Sequence, residues 1–161
     1  AQILKELAMK FKNTMLVVKD LKQSEAFYKE VLGLRTLVDL EIHAVLSGGL
    51  ALQTEESWKQ FTGAEVVYEA NAMELYFEED QFDAFAAKLE ALTSVRIITR
   101  VEPQSWGQRI VRFCDPDGHI IEVGEAMQAV CRRFANQGMT IEAIAERMNV
   151  PVKAVKAYLR G

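Results

Sequence analysis

Apolar and polar positions along this chain switch between two periods, and the switches repeat. From Asn13, "NTMLVVKDLKQSEAFYKEVLGL" begins as a short β-rich run and turns at Lys19 and Asp20. Leu21, Phe27, Tyr28, Val31 and Leu32 then recur at helical spacing up to Gly33. That pattern predicts a strand, a turn and an amphipathic helix stopped by glycine. From Glu74, "ELYFEEDQFDAFAAKLEALTSV" has the same plan, with Phe82, Phe85, Leu89 and Leu92 as the helical stripe. An offset of 61 carries Asn13 onto Glu74, Asp20 onto Gln81 and Tyr28 onto Leu89. Three short β-like runs follow each helix: "LRTLVDL", "IHAVLS" and "LALQT" in the first half, "VRIITRVEP", "QRIVRFC" and "HIIEVG" in the second. The prediction is an α+β fold of two βαβββ modules, residues 9–57 and 70–126. Each sheet lays one face on its helix, and the other faces close on each other or enclose a ligand.

One stretch, "DPDGHIIEVGE", puts a carboxylate inside an apolar run. Asp115 to Gly118 read as a tight turn, and alternation in the strand that follows sets Ile121 and Val123 on one face and Ile120 and Glu122 on the other. Taken alone, Glu122 reads as a residue facing water. The same alternation sends Asn13, Met15 and Val17, and Glu74, Tyr76 and Glu78, to the side away from their helices.

Half of the 161 residues are apolar, enough for one sizeable core and a small appendage. No run is long enough to span a bilayer, so no membrane partner is expected, and "AQILKELAMKF" is too charged for a secretory signal. A cytoplasmic location is the expectation, with Met9 a candidate start and Ala1 to Ala8 an upstream or appended piece. Cys114 and Cys131 read as free thiols, since nothing resembles a disulfide framework or a structural metal spacing. His43 lies mid-strand and His119 follows the glycine turn, and both read as plain structural residues. No nucleophile triad or phosphate-binding loop is present.

Charge divides the chain. The net charge is −4, yet residues 127–161 carry six basic side chains against Glu142 and Glu146, a net +4 that leaves −8 for the rest. This asymmetry predicts a separate helical extension. Thr140 is a good N-cap, Ile141, Ile144, Ala145 and Met148 make an apolar face, Asn149 suits a helix end, and Pro151 suits the start of a second helix to about Leu159. Two helices around a tight turn resemble a helix-turn-helix, with Lys153, Lys156 and Arg160 available to phosphates. DNA is therefore one partner for the tail. Packing of the tail on the acidic body or on a second subunit explains the same charges and is the favoured expectation.

The segments "LVVKDLKQSEAFYKEVLGL" and "WGQRIVRFCDPDGHIIEVGE" resemble the vicinal oxygen chelate superfamily, which includes glyoxalase I, bleomycin-resistance proteins, fosfomycin-resistance transferases and extradiol dioxygenases. The resemblance covers residues 10–126 and is specific for fold rather than activity. It implies a central divalent-metal site with ligands from the first strand of each module and from the last strands. Carried over, those positions are Asn13, Glu74 and Glu122. Equating Gly49 with Gly118 puts Gln53 at the fourth position, whereas a slip of one residue puts a leucine there and exchanges the faces. With no histidine in the set, only Glu74 and Glu122 are metal candidates, suited to a hard ion held weakly, and no cofactor is firmly assigned.

Tyr76 and Trp106, with Trp58 and Phe61 on the connector "TEESWKQFTGAE" as a lid, add aromatic walls for a cationic or planar small molecule. The expectation is a small-molecule-binding protein of the glyoxalase and bleomycin-resistance type, with Asn13, Gln53, Glu74, Tyr76, Trp106 and Glu122 as ligand-binding residues. A metal-dependent lyase, transferase or dioxygenase is the alternative, and a ligand-sensing DNA-binding regulator is a further one. A homodimer stays open.

Overall fold

The computed structural model describes residues 6–161; residues 1–5, part of the stretch read as an upstream piece, lie outside the described residues. It divides into two compact units, one ending at Val67 and the other spanning Tyr68–Gly161.

In the first unit, β1 (Thr14–Val18) leads into α1 (Leu21–Leu32), followed by β2 (Thr36–Asp39), β3 (His43–Leu46), β4 (Leu50–Thr54) and α2 (Glu55–Thr62). The helix starts where predicted because the Asp20 carboxylate accepts the Gln23 N–H at 3.0 Å. It ends at Gly33, whose φ of 70° is the left-handed conformation a side chain disfavours. The sheet order is β1-β4-β3-β2, with β1 and β4 parallel. Leu21, Tyr28 and Val31 of α1 are buried, as are Leu16, Val18, Ala44, Leu46, Leu50 and Leu52 of the sheet. Each large apolar side chain withdrawn from water in this way contributes about 1.5–3 kcal/mol.

The segment expected as a lid is instead helix α2. Thr54 caps it by accepting from Ser57 N–H, Glu55 and Glu56 favour its positive N-terminal end, and Gly63 closes it. It packs on β4 and β1. Trp58 is half-buried, and Phe61 stays exposed.

The second unit repeats the plan with β5 (Leu75–Glu79), α3 (Phe82–Ala91), β6 (Ile97–Pro103), β7 (Arg109–Cys114) and β8 (Ile120–Glu125). Its sheet order, β5-β8-β7-β6, again has a parallel pair, β5 with β8. Phe82 and Leu89 are buried with Val111, Phe113, Ile121 and Val123. Three further helices belong to this unit: α4 (Met127–Asn136), α5 (Ile141–Met148) and α6 (Val152–Arg160). The predicted signals operate there. Thr140 accepts from Ala143 N–H, and Asn149 adopts φ 55° at the end of α5.

The two modules differ in the turn before their last strand. Leu46 pairs with Leu50 across three residues, whereas Cys114 pairs with Ile120 across five. Asp115 holds the longer turn, accepting the backbone N–H groups of Asp117 and His119, each at 2.9 Å, and meeting His119 Nδ1 at 2.8 Å.

Candidate functional site

Strand register decides which side chains meet on the sheet face turned away from α3. Tyr76 of β5 and Arg112 of β7 both pair with Glu122 of β8, forming one row across three strands. Glu74, just before β5, lies at the edge of that row. Arg112 joins the carboxylates: its Nε donates to Glu74 at 3.2 Å, and its Nη2 donates to Glu122. Glu122 is buried, so the expectation that it faces water as a lone strand residue does not hold. Burial, and then the negative charge of Glu74, push its pKa above the ordinary carboxylate value, while Arg112 opposes the shift.

A second row supports the first. Glu78 pairs with Gly124, and Gly124 pairs with Ile110. A Cβ built on Gly124 would lie 2.5 Å from Gln108 Nε2, so this position is small because the Gln108 amide crosses over it. From there Gln108 donates to the Tyr76 hydroxyl at 2.8 Å and to the Glu125 carbonyl at 2.9 Å, and its oxygen accepts from the Trp106 indole at 2.9 Å. Trp106 is thus tied to the row through Gln108. It lines a cleft of about 330 Å³ with Ser105, Met127, Arg147 and Met148. Tyr76 is 47% exposed, and burial of the remainder raises its pKa against the Gln108 hydrogen bond.

The first unit has a different row. His43 and Val17 both pair with Gln53, and His43 Nδ1 meets Gln53 Oε1 at 2.7 Å. Gln53 is buried and donates to Ser57 of α2. Asn13 is exposed ahead of β1. By the 61-residue offset, Met15 corresponds to Tyr76, and Met15 pairs with Ala51. The residue equivalent to Glu122 is thus Ala51, fully buried and without a donor atom. Gln53 lies on the same face of its own sheet one row further on, at the position that Gly124 holds in the second sheet. The two-residue difference between the turns causes this displacement.

A divalent metal does not fit these residues well. Imidazole is missing from the row, and both carboxylates already share a guanidinium. Asp115, Asp117 and His119 bring their donor atoms within 4.8 Å of one another. The Asp115 oxygens, however, are committed to the turn. Cys114 accepts from Arg96 at 3.1 Å, and Cys131 is buried beside Met148, so neither thiol belongs to the row.

Residues 11–128 match the family described as "Glyoxalase-like domain". The chain belongs to that family. A protein of unknown function from Agrobacterium tumefaciens str. C58 is 34% identical, over 75% of this chain and 97% of that one, with a TM-score of 0.67. A glyoxalase-related enzyme from Fulvimarina pelagi, 22% identical over 77% and 90% of the two chains, gives 0.63. Lactoylglutathione lyase from Agrobacterium tumefaciens, 23% identical over 75% and 96%, gives 0.57. These last two likenesses concern the fold. No curated protein matches the chain. The glyoxalase-like match stops just inside α4, leaving most of α4 and all of α5 and α6 outside it. No helix among the described residues is long and apolar enough to cross a membrane.

Sequence reasoning found Glu74, Tyr76 and Glu122 on one face but missed Arg112 and Gln108. Alternation along "QRIVRFC" places Arg112 with Gln108 and Ile110 on one face. Only the β7–β8 register puts it opposite Glu122.

Proposed function

We propose that this glyoxalase-like protein binds a small molecule on the row formed by Glu74, Tyr76, Arg112 and Glu122, as bleomycin-resistance-type members do, without a complete metal site. The observation that carries the reading is Arg112. Its guanidinium supplies the positive charge that two neighbouring carboxylates would otherwise draw from an ion, and it leaves one net negative charge on the row. Arg112 and Glu74 are each about one-third exposed, so both can exchange partners with an incoming group. A cationic ligand group replaces Arg112 at a carboxylate, while the open face of Tyr76 takes a planar or cationic part.

The raised pKa of Glu122 favours a second reading, in which this carboxyl moves a proton in a reaction catalysed on the same face. Calorimetric titration with small planar amines and quaternary ammonium compounds tests the first. Glu74→Ala or Tyr76→Ala should weaken binding about tenfold, equivalent to ~1.4 kcal/mol, and Cys114→Ala should leave it intact. Binding unchanged in both row variants contradicts the proposal. Turnover of a bound compound that is lost in Glu122→Gln makes the protein an enzyme that uses this carboxyl.

A further inference from the structure

The helices outside the family match carry a surface that the small-molecule reading does not use. Helices α4, α5 and α6 pack on one another around Val130, Cys131, Phe134, Ile144, Ala145, Met148 and Val155. Only Asn149, Val150 and Pro151 separate α5 from α6. Asn149 reverses the chain with φ 55°, and Pro151 sets the start of α6. This is the short turn of a helix-turn-helix.

The six basic residues of the extension divide into two groups. Those on α4 and α5 are engaged within the unit. Arg133 bonds Glu125 and the Gly107 carbonyl, the latter at 2.7 Å. Arg147 bonds the Ser105 carbonyl and lies over the Phe134 ring. Arg132 reaches the Gly161 carbonyl at 3.4 Å and Asp80 at 3.9 Å. Packing of the extension on its own unit thus accounts for these three. It does not account for Lys153, Lys156 and Arg160, which are exposed on α6 and form no ion pair among the described residues. Spaced three and then four residues apart, they share a face opposite buried Val155. No acidic residue lies on α6; Glu142 and Glu146 are both on α5.

We propose that α5 and α6 form a DNA-binding helix-turn-helix, with α6 against duplex DNA and Lys153, Lys156 and Arg160 on its phosphates. Packing and DNA binding then use different basic residues, so the two roles coexist. A second helix held out on a tight turn fits a major groove about 12 Å wide, whereas the deep, narrow major groove of double-stranded RNA excludes it. The helix offers Ala154 and Ala157 between its basic residues, so binding is dominated by phosphates and discriminates poorly among sequences.

Fluorescence anisotropy of a labelled mixed-sequence duplex with the full chain, at rising salt, tests this. Three phosphate contacts predict a log-log slope of about −2.7, or roughly forty-fold weaker binding at about 200 mM than at about 50 mM salt. Each of Lys153→Ala, Lys156→Ala and Arg160→Ala should reduce the slope by about 0.9. The triple variant should lose binding with its thermal unfolding unchanged, and Lys88→Ala on α3 should bind as the parent does. Binding without salt dependence, binding retained in the triple variant, or equal binding to double-stranded RNA or heparin overturns the proposal.

Discussion

β4 and β8 occupy the same place in their sheets, between a parallel and an antiparallel neighbour, and they carry opposite chemistry. β4 reads "LALQT" and is neutral throughout; its one buried polar side chain, Gln53, is satisfied by His43 and Ser57. β8 reads "IIEVGE" and buries two carboxylates. A buried charge needs a partner, and the second unit supplies arginines: Arg112 to Glu122, and both Arg109 and Arg133 to Glu125. The two carboxylates respond differently. Burial works against the ionised form of Glu125, but hydrogen bonds from the Arg109 side chain, the Arg109 backbone and Arg133 outweigh it and hold the pKa below the ordinary value. Glu122, with one arginine shared with Glu74, stays above it. A repeated fold thus accommodates charge where the added partners are in place, and it leaves strain at the carboxylate whose partner is divided.

Removing Glu125 should produce the largest effect. Glu125→Ala leaves Arg109 and Arg133 without their shared acid and should cost about 3 kcal/mol in urea unfolding, discounted because both arginines are one-third exposed. A smaller loss is expected from Gly124→Ala, whose new methyl displaces the Gln108 amide and its bonds to Tyr76 and Glu125, about 1.5 kcal/mol by the same measurement. A Gly124→Ala variant as stable as the parent would show that Gln108 does not need that space.

The smallest effect lies in pH dependence. A carboxylate with a depressed native pKa adds stability above its unfolded value of about 4.3, lost as pH falls through the native value. Glu125 is of that kind. Glu122 has the opposite sign: the native state holds its proton more tightly, so stability declines as pH rises from the unfolded value to the raised native one. Unfolding free energy across that window should decline less in Glu122→Gln than in the parent, and an identical slope would place Glu122 in a solvated environment.

Much of this was legible in the chain. Asp20 and Gly33 bracket α1, Gly48 and Gly49 mark one hairpin and Asp117-Gly118 the other, and the 61-residue offset between modules follows from their stripes. Thr54, Glu55, Glu56 and Gly63 are start and stop signals of a helix, yet "EESWKQFT" has too few apolar residues for periodicity to announce α2, and it reads as a connector. The first-module counterpart of Glu122 is hidden for a different reason. Matching Gly49 to Gly118 assumes turns of equal length, and the Asp115 turn is two residues longer, so that match sets Gln53 where the register puts Ala51. Arg112 was missed because a pairing partner is a property of two strands, which neither strand's own pattern contains.

In the proposed function, Arg112 takes the place of an ion at Glu74 and Glu122. Elemental analysis after equilibrium dialysis against manganese, nickel, zinc and iron tests it directly, on protein purified without a metal-affinity tag. The parent should hold well under one tightly bound ion per chain, and uptake should increase in Arg112→Ala, which frees both carboxylates. One ion per chain in the parent, lost in Glu122→Ala, would contradict it.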